Sequence, residues 1–172
     1  LVYSILKDHK GRIWVGTRSG LDQFHPETKS FTHIHLDKAG KRPTSDDITF
    51  LYEDSKHRIW IGTTNGVTLF YPDNLLFGNI GHGKVSEDIV NCITEDKKHR
   101  IWIGTREGLS LYNENQESFI SFKTKNDFVK GTIYGIIPDE DNNLWISTNS
   151  GLIKFNPDSG SVQTFDESDG LQ

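Results

Sequence analysis

Cysteine occurs once in this 172-residue chain, methionine not at all and proline five times. A single thiol, Cys92, excludes an internal disulfide framework and any cysteine-built zinc site. A small buried strand position is expected for it. There is no apolar run long enough to span a membrane and no signal-peptide pattern at the start. The chain opens at Leu1 and is expected to be a segment of something longer, so these absences exclude no compartment. Basic residues are outnumbered, 19 Lys and Arg against 24 Asp and Glu, for a net charge of −5. That balance argues against a general attraction to nucleic acid, and no direct nucleic-acid binding is expected.

Hydrophobic residues make up only 34% of the chain, yet four Trp and ten Phe are among them. They are placed in register. Asp8-His-Lys-Gly-Arg-Ile-Trp-Val-Gly-Thr17 returns as Asp54 to Thr63, Asp96 to Thr105 and, most altered, Asp139 to Thr148. Trp14, Trp60, Trp102 and Trp145 are spaced by 46, 42 and 43 residues. Nine positions before each Trp stands Ile5, Leu51, Ile93 or Ile136. Six after it stands Gly20, Gly66, Gly108 or Gly151. Ten after it stands Phe24, Phe70, Tyr112 or Phe155, and seventeen after it Phe31, Phe77, Phe119 or Val162. Internal periods of this length mark repeat architectures.

Within one copy the pattern is four short strands, at Val2 to Lys7, Arg12 to Thr17, Leu21 to Phe24 and Ser30 to His35, parted by turn signals. Four strands in about 43 residues is the blade of a β-propeller. The predicted fold is therefore all-β, one partial β-propeller over 1–172 made of four four-stranded antiparallel blades, at about 1–36, 46–80, 88–123 and 131–166.

Most repeated residues have structural work to do. Gly11, His57, His99 and Asn142 share one turn position, and Gly, Asn and His are the residues that accept positive φ there. His57 and His99 are thus expected as turn formers, not ligands. Each Trp is expected half-buried, packed between neighbouring blades. No metal site and no cofactor are expected. His33-x-His35 puts two imidazoles on one strand face, but without a third ligand it reads as a solvated edge strand. Asp46-Asp47 and Glu53-Asp54 are neighbours whose side chains point to opposite faces, so neither is an acid–base pair.

Binding is expected elsewhere. All length variation falls between the fourth strand of one blade and the first of the next: 20, 16 and 17 residues. In a propeller these connections share a face with the turns before the repeat Gly, and variable loops on a rigid scaffold carry specificity. That face gathers Arg18-Ser19, Thr64-Asn65, Arg106-Glu107 and Asn149-Ser150, with 37–47, 78–87 and 123–131 from the connections. Arg18 and Arg106 suit a carboxylate or sulfate; Asn65 and Asn149 are further polar candidates. Tyr3, Tyr134 and Phe128 suit stacking on sugar rings. His82, in Gly81-His-Gly83, is the one histidine placed for chemistry.

Asp-x-x-Gly-Arg-Ile-Trp-Val-Gly-Thr-x-x-Gly-Leu, followed by Phe and Pro, resembles the regulator-propeller repeat of hybrid two-component systems common in Bacteroides-type bacteria. The fourth copy departs most, with Asn142-Asn143-Leu144 for Gly-Arg-Ile and Ser147 for Gly. The third has Asn113-Glu114 where the others carry a Pro. The resemblance implies a piece of a seven-bladed ring in a periplasmic sensor region, part of an inner-membrane protein, with a histidine kinase and phosphorelay across the membrane. It implies an oligosaccharide ligand bound by the full ectodomain, and no catalysis by this segment. A propeller lyase and a protein-binding scaffold are the alternatives. Four blades are few for a closed ring, and the two chain ends match in phase. The expected partners are therefore the remaining blades or, for the fragment, a second copy, with two chains completing an eight-bladed ring.

Overall fold

Each repeat folds into its own four-stranded antiparallel sheet in the computed structural model, which describes residues 1–34, 43–78, 80, 88–122 and 131–171. The first blade runs β1 (Val2–Lys7), β2 (Ile13–Thr17), β3 (Gly20–His25) and β4 (Ser30–Ile34). The second has β5 (Ile48–Glu53), β6 (Ile59–Thr63), β7 (Gly66–Tyr71) and β8 (Leu76–Gly78). The third has β9 (Val90–Glu95), β10 (Ile101–Thr105), β11 (Gly108–Asn113) and β12 (Ser118–Ser121). The fourth has β13 (Ile133–Pro138), β14 (Leu144–Thr148), β15 (Gly151–Phe155) and β16 (Val162–Phe165). In every sheet the strands lie side by side in chain order.

The strand limits differ from the sequence pattern in instructive places. The second strand begins at Ile13 rather than Arg12, because the Arg12 backbone N–H is taken by the Asp8 carboxylate of the preceding turn (2.9 Å). The third is longer at both ends, Gly20–His25. The fourth is described to Ile34, and His35 lies outside the described residues. The shared turn position adopts the expected left-handed backbone, with φ of +79° at Gly11, +60° at His57 and His99, and +62° at Asn142.

The chain forms two compact units, Leu1–Val90 and Asn91–Gln172. In the first, Trp14, Leu21 and Ile34 of one blade pack with Ile48, Leu51, Ile61 and Phe70 of the next, and the Trp14 and Phe70 rings meet edge-on at 5.2 Å. In the second unit Trp102 meets Phe155 edge-on at 6.0 Å. The repeated Trp is thus an interblade residue in both units. It is more buried than expected: Trp14, Trp60 and Trp102 have no solvent exposure, and only Trp145 is partly open. Cys92 lies on β9, buried, and its thiol is pushed up to about 12 by that burial.

The Gly two positions after Trp lets the sheets approach. A Cβ on Gly16 would stand 2.6 Å from Ile48, and one on Gly104 2.5 Å from both Cys92 Sγ and Ile133. At the same position in the fourth blade Ser147 is exposed, and a side chain fits. A second device recurs in both units. Lys10 and Arg12 hold Asp73, in the β7–β8 turn, at 2.6 and 3.0 Å. Lys98 and Arg100 hold Asp158, in the β15–β16 turn, both at 2.9 Å. The lysines and arginines keep both carboxyls below the usual range.

Candidate ligand-binding face

One turn is built four times at the same edge of each blade. Thr17 Oγ1 donates to the Gly20 carbonyl (3.0 Å) and accepts from the Ser19 N–H (3.0 Å). Thr63, Thr105 and Thr148 repeat the pair of bonds with Gly66 and Asn65, Gly108 and Glu107, and Gly151 and Ser150. The four glycines adopt φ between +91° and +129°, a conformation that a side chain strains. The residues between Thr and Gly, apart from the half-buried Thr64, are therefore exposed on a fixed backbone.

The same turns are tied to the chain entering the blade. Arg18 N–H donates to the Leu1 carbonyl, Thr64 N–H to Asp47 and Asn149 N–H to Thr132, at 3.1, 3.0 and 3.3 Å. Turn and incoming connection thus share one edge in blades one, two and four, as propeller geometry led us to expect. A β-bulge also falls there, between Val2 and Ser4, between Ile48 and Phe50, and between Ile133 and Gly135. The bulged residues are Tyr3, Thr49 and Tyr134. Bulges re-aim a side chain, and Tyr3 and Tyr134 are 48% and 59% exposed. Asn91, at the same repeat position in blade three, instead donates to the Ile133 carbonyl (2.8 Å).

Arg18, Asn65, Arg106 and Asn149 all lie exposed in these turns. Among the described residues neither Arg18 nor Arg106 enters an ion pair, and no hydrogen bond links Arg18 to Asn65 or Arg106 to Asn149. Asn149 packs against Gly131, its Oδ1 standing where a Cβ on that glycine would be. His82, Phe128 and most of the three connections lie outside the described residues. His33 is exposed and pairs with Asp22 across β3 and β4. Asp54 turns inward while Glu53 faces a neighbouring histidine, so that carboxylate pair does diverge.

The Asn149 turn opens onto a cleft of about 650 Å³ lined by Thr148, Asn149, Ser150, Asp166, Ser168 and Leu171, within the range typical of ligand sites. Asp166 caps a short 3₁₀ turn (Glu167–Asp169), accepting from the Ser168 N–H (2.8 Å) and hydroxyl (2.6 Å). Those bonds hold its carboxyl below the usual range. Sequence reasoning did not nominate Asp166 or Ser168, because 165–172 read only as the lead-in to another strand. The capping box Asp166-x-x-Asp169 was the signal available there.

The family described as two component regulator propeller matches at residues 1–19, 43–65, 84–107 and 127–150, together more than half of the chain. No curated protein matches. Among solved structures, the chain is similar to the extracellular domain of BT4673 from B. thetaiotaomicron, with 22% identity and a TM-score of 0.82 over 99% of this chain and 26% of that one. It is also similar to the extracellular domain of BT3049 from B. thetaiotaomicron, named as a hybrid two component system (24% identity, TM-score 0.73, 96% of this chain and 22% of that one). Virginiamycin B lyase from Staphylococcus aureus shares the fold at 17% identity and a TM-score of 0.70, over 96% of this chain and 55% of that one. The chain spans about a quarter of the length of the two B. thetaiotaomicron domains.

Proposed function

Because the chain belongs to the two-component regulator propeller family, we propose that it is part of the extracytoplasmic ligand-sensing region of a hybrid two-component sensor, responding to glycan-derived oligosaccharides. The observation that carries this reading is the cleft beside Asn149. Its lining offers hydroxyls, an amide and carboxylates on a backbone fixed by the Thr148 turn and the Asp166 cap. Vicinal sugar hydroxyls are donors and acceptors at close spacing, and such a set of paired polar groups matches them. Asp166 and Glu167 make this cleft suited to neutral or amino sugars, whereas Arg18 and Arg106 suit acidic ones. The similarity to extracellular sensor domains supports the extracytoplasmic placement, and among the described residues no helix is long and apolar enough to cross a membrane.

Signalling then requires only differential affinity. A ligand that binds one arrangement of the receptor better shifts the population toward it, by no more than that difference in affinity. The segment itself needs no catalytic group for this. The test is calorimetry of the full ectodomain against a panel of neutral, amino and acidic oligosaccharides, repeated with Asn149→Ala. The expected result is saturable binding weakened about tenfold by the substitution, the loss of one or two hydrogen bonds. No binding to any glycan overturns the reading, and release of unsaturated products points to a lyase instead.

A further inference from the structure

His9, Glu53 and His57 come together where the first blade meets the second, and their ligand atoms all lie within 4.8 Å of one another. His9 Nδ1 is 2.5 Å from Glu53 Oε1, and His57 Nδ1 is 3.7 Å from the same oxygen. The two imidazoles stack, with ring centroids 3.7 Å apart and planes at 23°. The His9 backbone N–H donates to Glu53 Oε2 (2.8 Å), which fixes the carboxylate between the rings. Among the described residues this is the one group of three such side chains so placed. From this geometry we infer that the first unit carries a binding site for a divalent first-row transition-metal ion, with His9, Glu53 and His57 as ligands and water completing the shell.

Two imidazoles and one carboxylate are a donor set for zinc and its neighbours in the first transition row, not for magnesium or calcium, which take oxygen ligands. A tetrahedral ion with bonds of about 2.0–2.1 Å to nitrogen and oxygen needs donors roughly 3.3 Å apart. The spacings of 2.5 and 3.7 Å bracket that value. Because the rings stack at 23°, the exposed His57 imidazole turns about its side-chain bonds to bring its lone pair onto the ion. The short His9–Glu53 contact is a hydrogen bond, and an ion that replaces its proton lengthens it toward the required distance. Neutral imidazole is the form that ligates.

The site is particular to this junction. At the His9 position the other repeats carry Ser55, Lys97 and Glu140; at the Glu53 position they carry Lys7, Glu95 and Pro138; at the His57 position, Gly11, His99 and Asn142. In the second unit the corresponding place is filled by Lys97, whose backbone N–H donates to Asn142 Oδ1 (3.0 Å) and whose ammonium pairs with Glu140. The turn requirement explains a residue such as His at 57, and the Glu53–His57 pair recurs as Glu95–His99 (3.0 Å); His9 is the residue that sets this junction apart. The metal reading explains all three, and gives the ion the role of a staple between two blades.

The repeats themselves supply substitutions that the fold accepts. His9→Ser copies Ser55 and His57→Asn copies Asn142, the latter keeping a residue suited to positive φ. The chain is titrated with Zn²⁺ in a calorimeter and with Co²⁺ while visible absorption is recorded. The expected result is one equivalent bound, a tetrahedral Co²⁺ band, and a melting temperature that rises with added Zn²⁺. Affinity should fall at least tenfold in His9→Ser, His57→Asn and Glu53→Gln, since even a lost outer-shell partner costs 10–100-fold, and should be unchanged in His99→Asn. A wild-type chain whose melting temperature ignores Zn²⁺ overturns the inference. So does a His9→Ser/His57→Asn double variant that binds as tightly as wild type.

Discussion

Trp102 donates its indole N–H to Asp96 Oδ2 at 2.8 Å, and the carboxylate that receives it also pairs with Arg100 Nε at 2.6 Å. The guanidinium lies over the indole, 5.6 Å from the ring centroid. Asp8, Arg12 and Trp14 repeat this triad, as do Asp54, Arg58 and Trp60. In the fourth blade Asp139 still receives Trp145 (3.0 Å), but Asn143 replaces the arginine. The cation over the ring is then Lys154 of β15, at 5.2 Å. One aspartate thus closes the first turn of each blade, accepting from two backbone N–H groups, and in the first and third blades it anchors the Trp on which the next blade packs.

Asp96→Ala is expected to destabilise the second unit by about 3 kcal/mol, because it leaves the buried indole N–H of Trp102 and two turn N–H groups without their acceptor, while Arg100 keeps only Asp158 among the described residues. Asp139→Ala should cost clearly less, since Asp139 is more exposed and faces an amide. Urea unfolding followed by tryptophan fluorescence measures both. Equal losses in the two variants would mean that the triad is not what distinguishes the blades.

Acid should weaken the turns closed by Asp8 and Asp139. Asn143, then the backbone and Trp145 hydrogen bonds, hold Asp139 at about 2 against an ordinary 3.8. Burial pushes Asp8 up, but Trp14 and Arg12 outweigh it and leave it lowered. A carboxyl whose folded-state value is depressed contributes its stability above its unfolded value and loses it as pH falls through the folded one. Melting temperature should therefore be steady down to about pH 4 and fall between about pH 4 and 2. Asp139→Asn should flatten part of that fall. A curve that drops equally in the variant would assign the loss to other groups, among them Asp73 and Asp158.

Gly104→Ala places a Cβ against Cys92 Sγ and Ile133, both 2.5 Å away. Overpacking of this kind costs about 1–3 kcal/mol. Ser147→Ala, at the same repeat position, should stay within about 0.5 kcal/mol of wild type, as exposed substitutions do. Denaturant midpoints of the two variants decide it, and a neutral Gly104→Ala would show that β13 can shift to make room.

The repeat made most of the blade legible. A rigid register around each Trp carries the strand order, the left-handed turn and the Thr–Gly hairpin, because all three depend on residues close in the chain. The Asp–Trp bond was visible as a constant six-residue spacing, yet spacing does not say that a side chain folds back across a turn. The Lys154 substitution was not legible, since it replaces Arg by a residue on another strand. The candidate site was legible only in its fixed half. Arg18, Asn65, Arg106 and Asn149 sit in turns defined by local hydrogen bonds, whereas Asp166 reaches the Asn149 cleft through the path of a connection, which no local rule sets. His9 and His57 met for a similar reason: their pairing depends on how two blades stack.

Ile5 is 69% exposed, while Leu51 and Ile136 at the same repeat position are 4% and 7% exposed, each covered by the blade before it. Around Ile5 lies a groove of about 410 Å³, floored by Val2, Ile13, Val15, Phe24 and Phe31. The matching surface is present in the same chain. Ile137, also 69% exposed, stands where Leu6 packs into the core of the first unit. The 172-residue chain taken by itself carries both halves of a blade-to-blade contact, faces that further blades would cover in a longer protein. By itself it is expected to meet a second copy through them, since apolar faces of this kind drive association. Sedimentation velocity should show a dimer at micromolar concentration. Ile5→Lys should give a monomer with an unchanged far-ultraviolet circular dichroism spectrum, since the residue contributes little to its own blade's core. A wild-type monomer at that concentration, or a dimer that survives Ile5→Lys, would show that the groove of the first blade is not where copies meet.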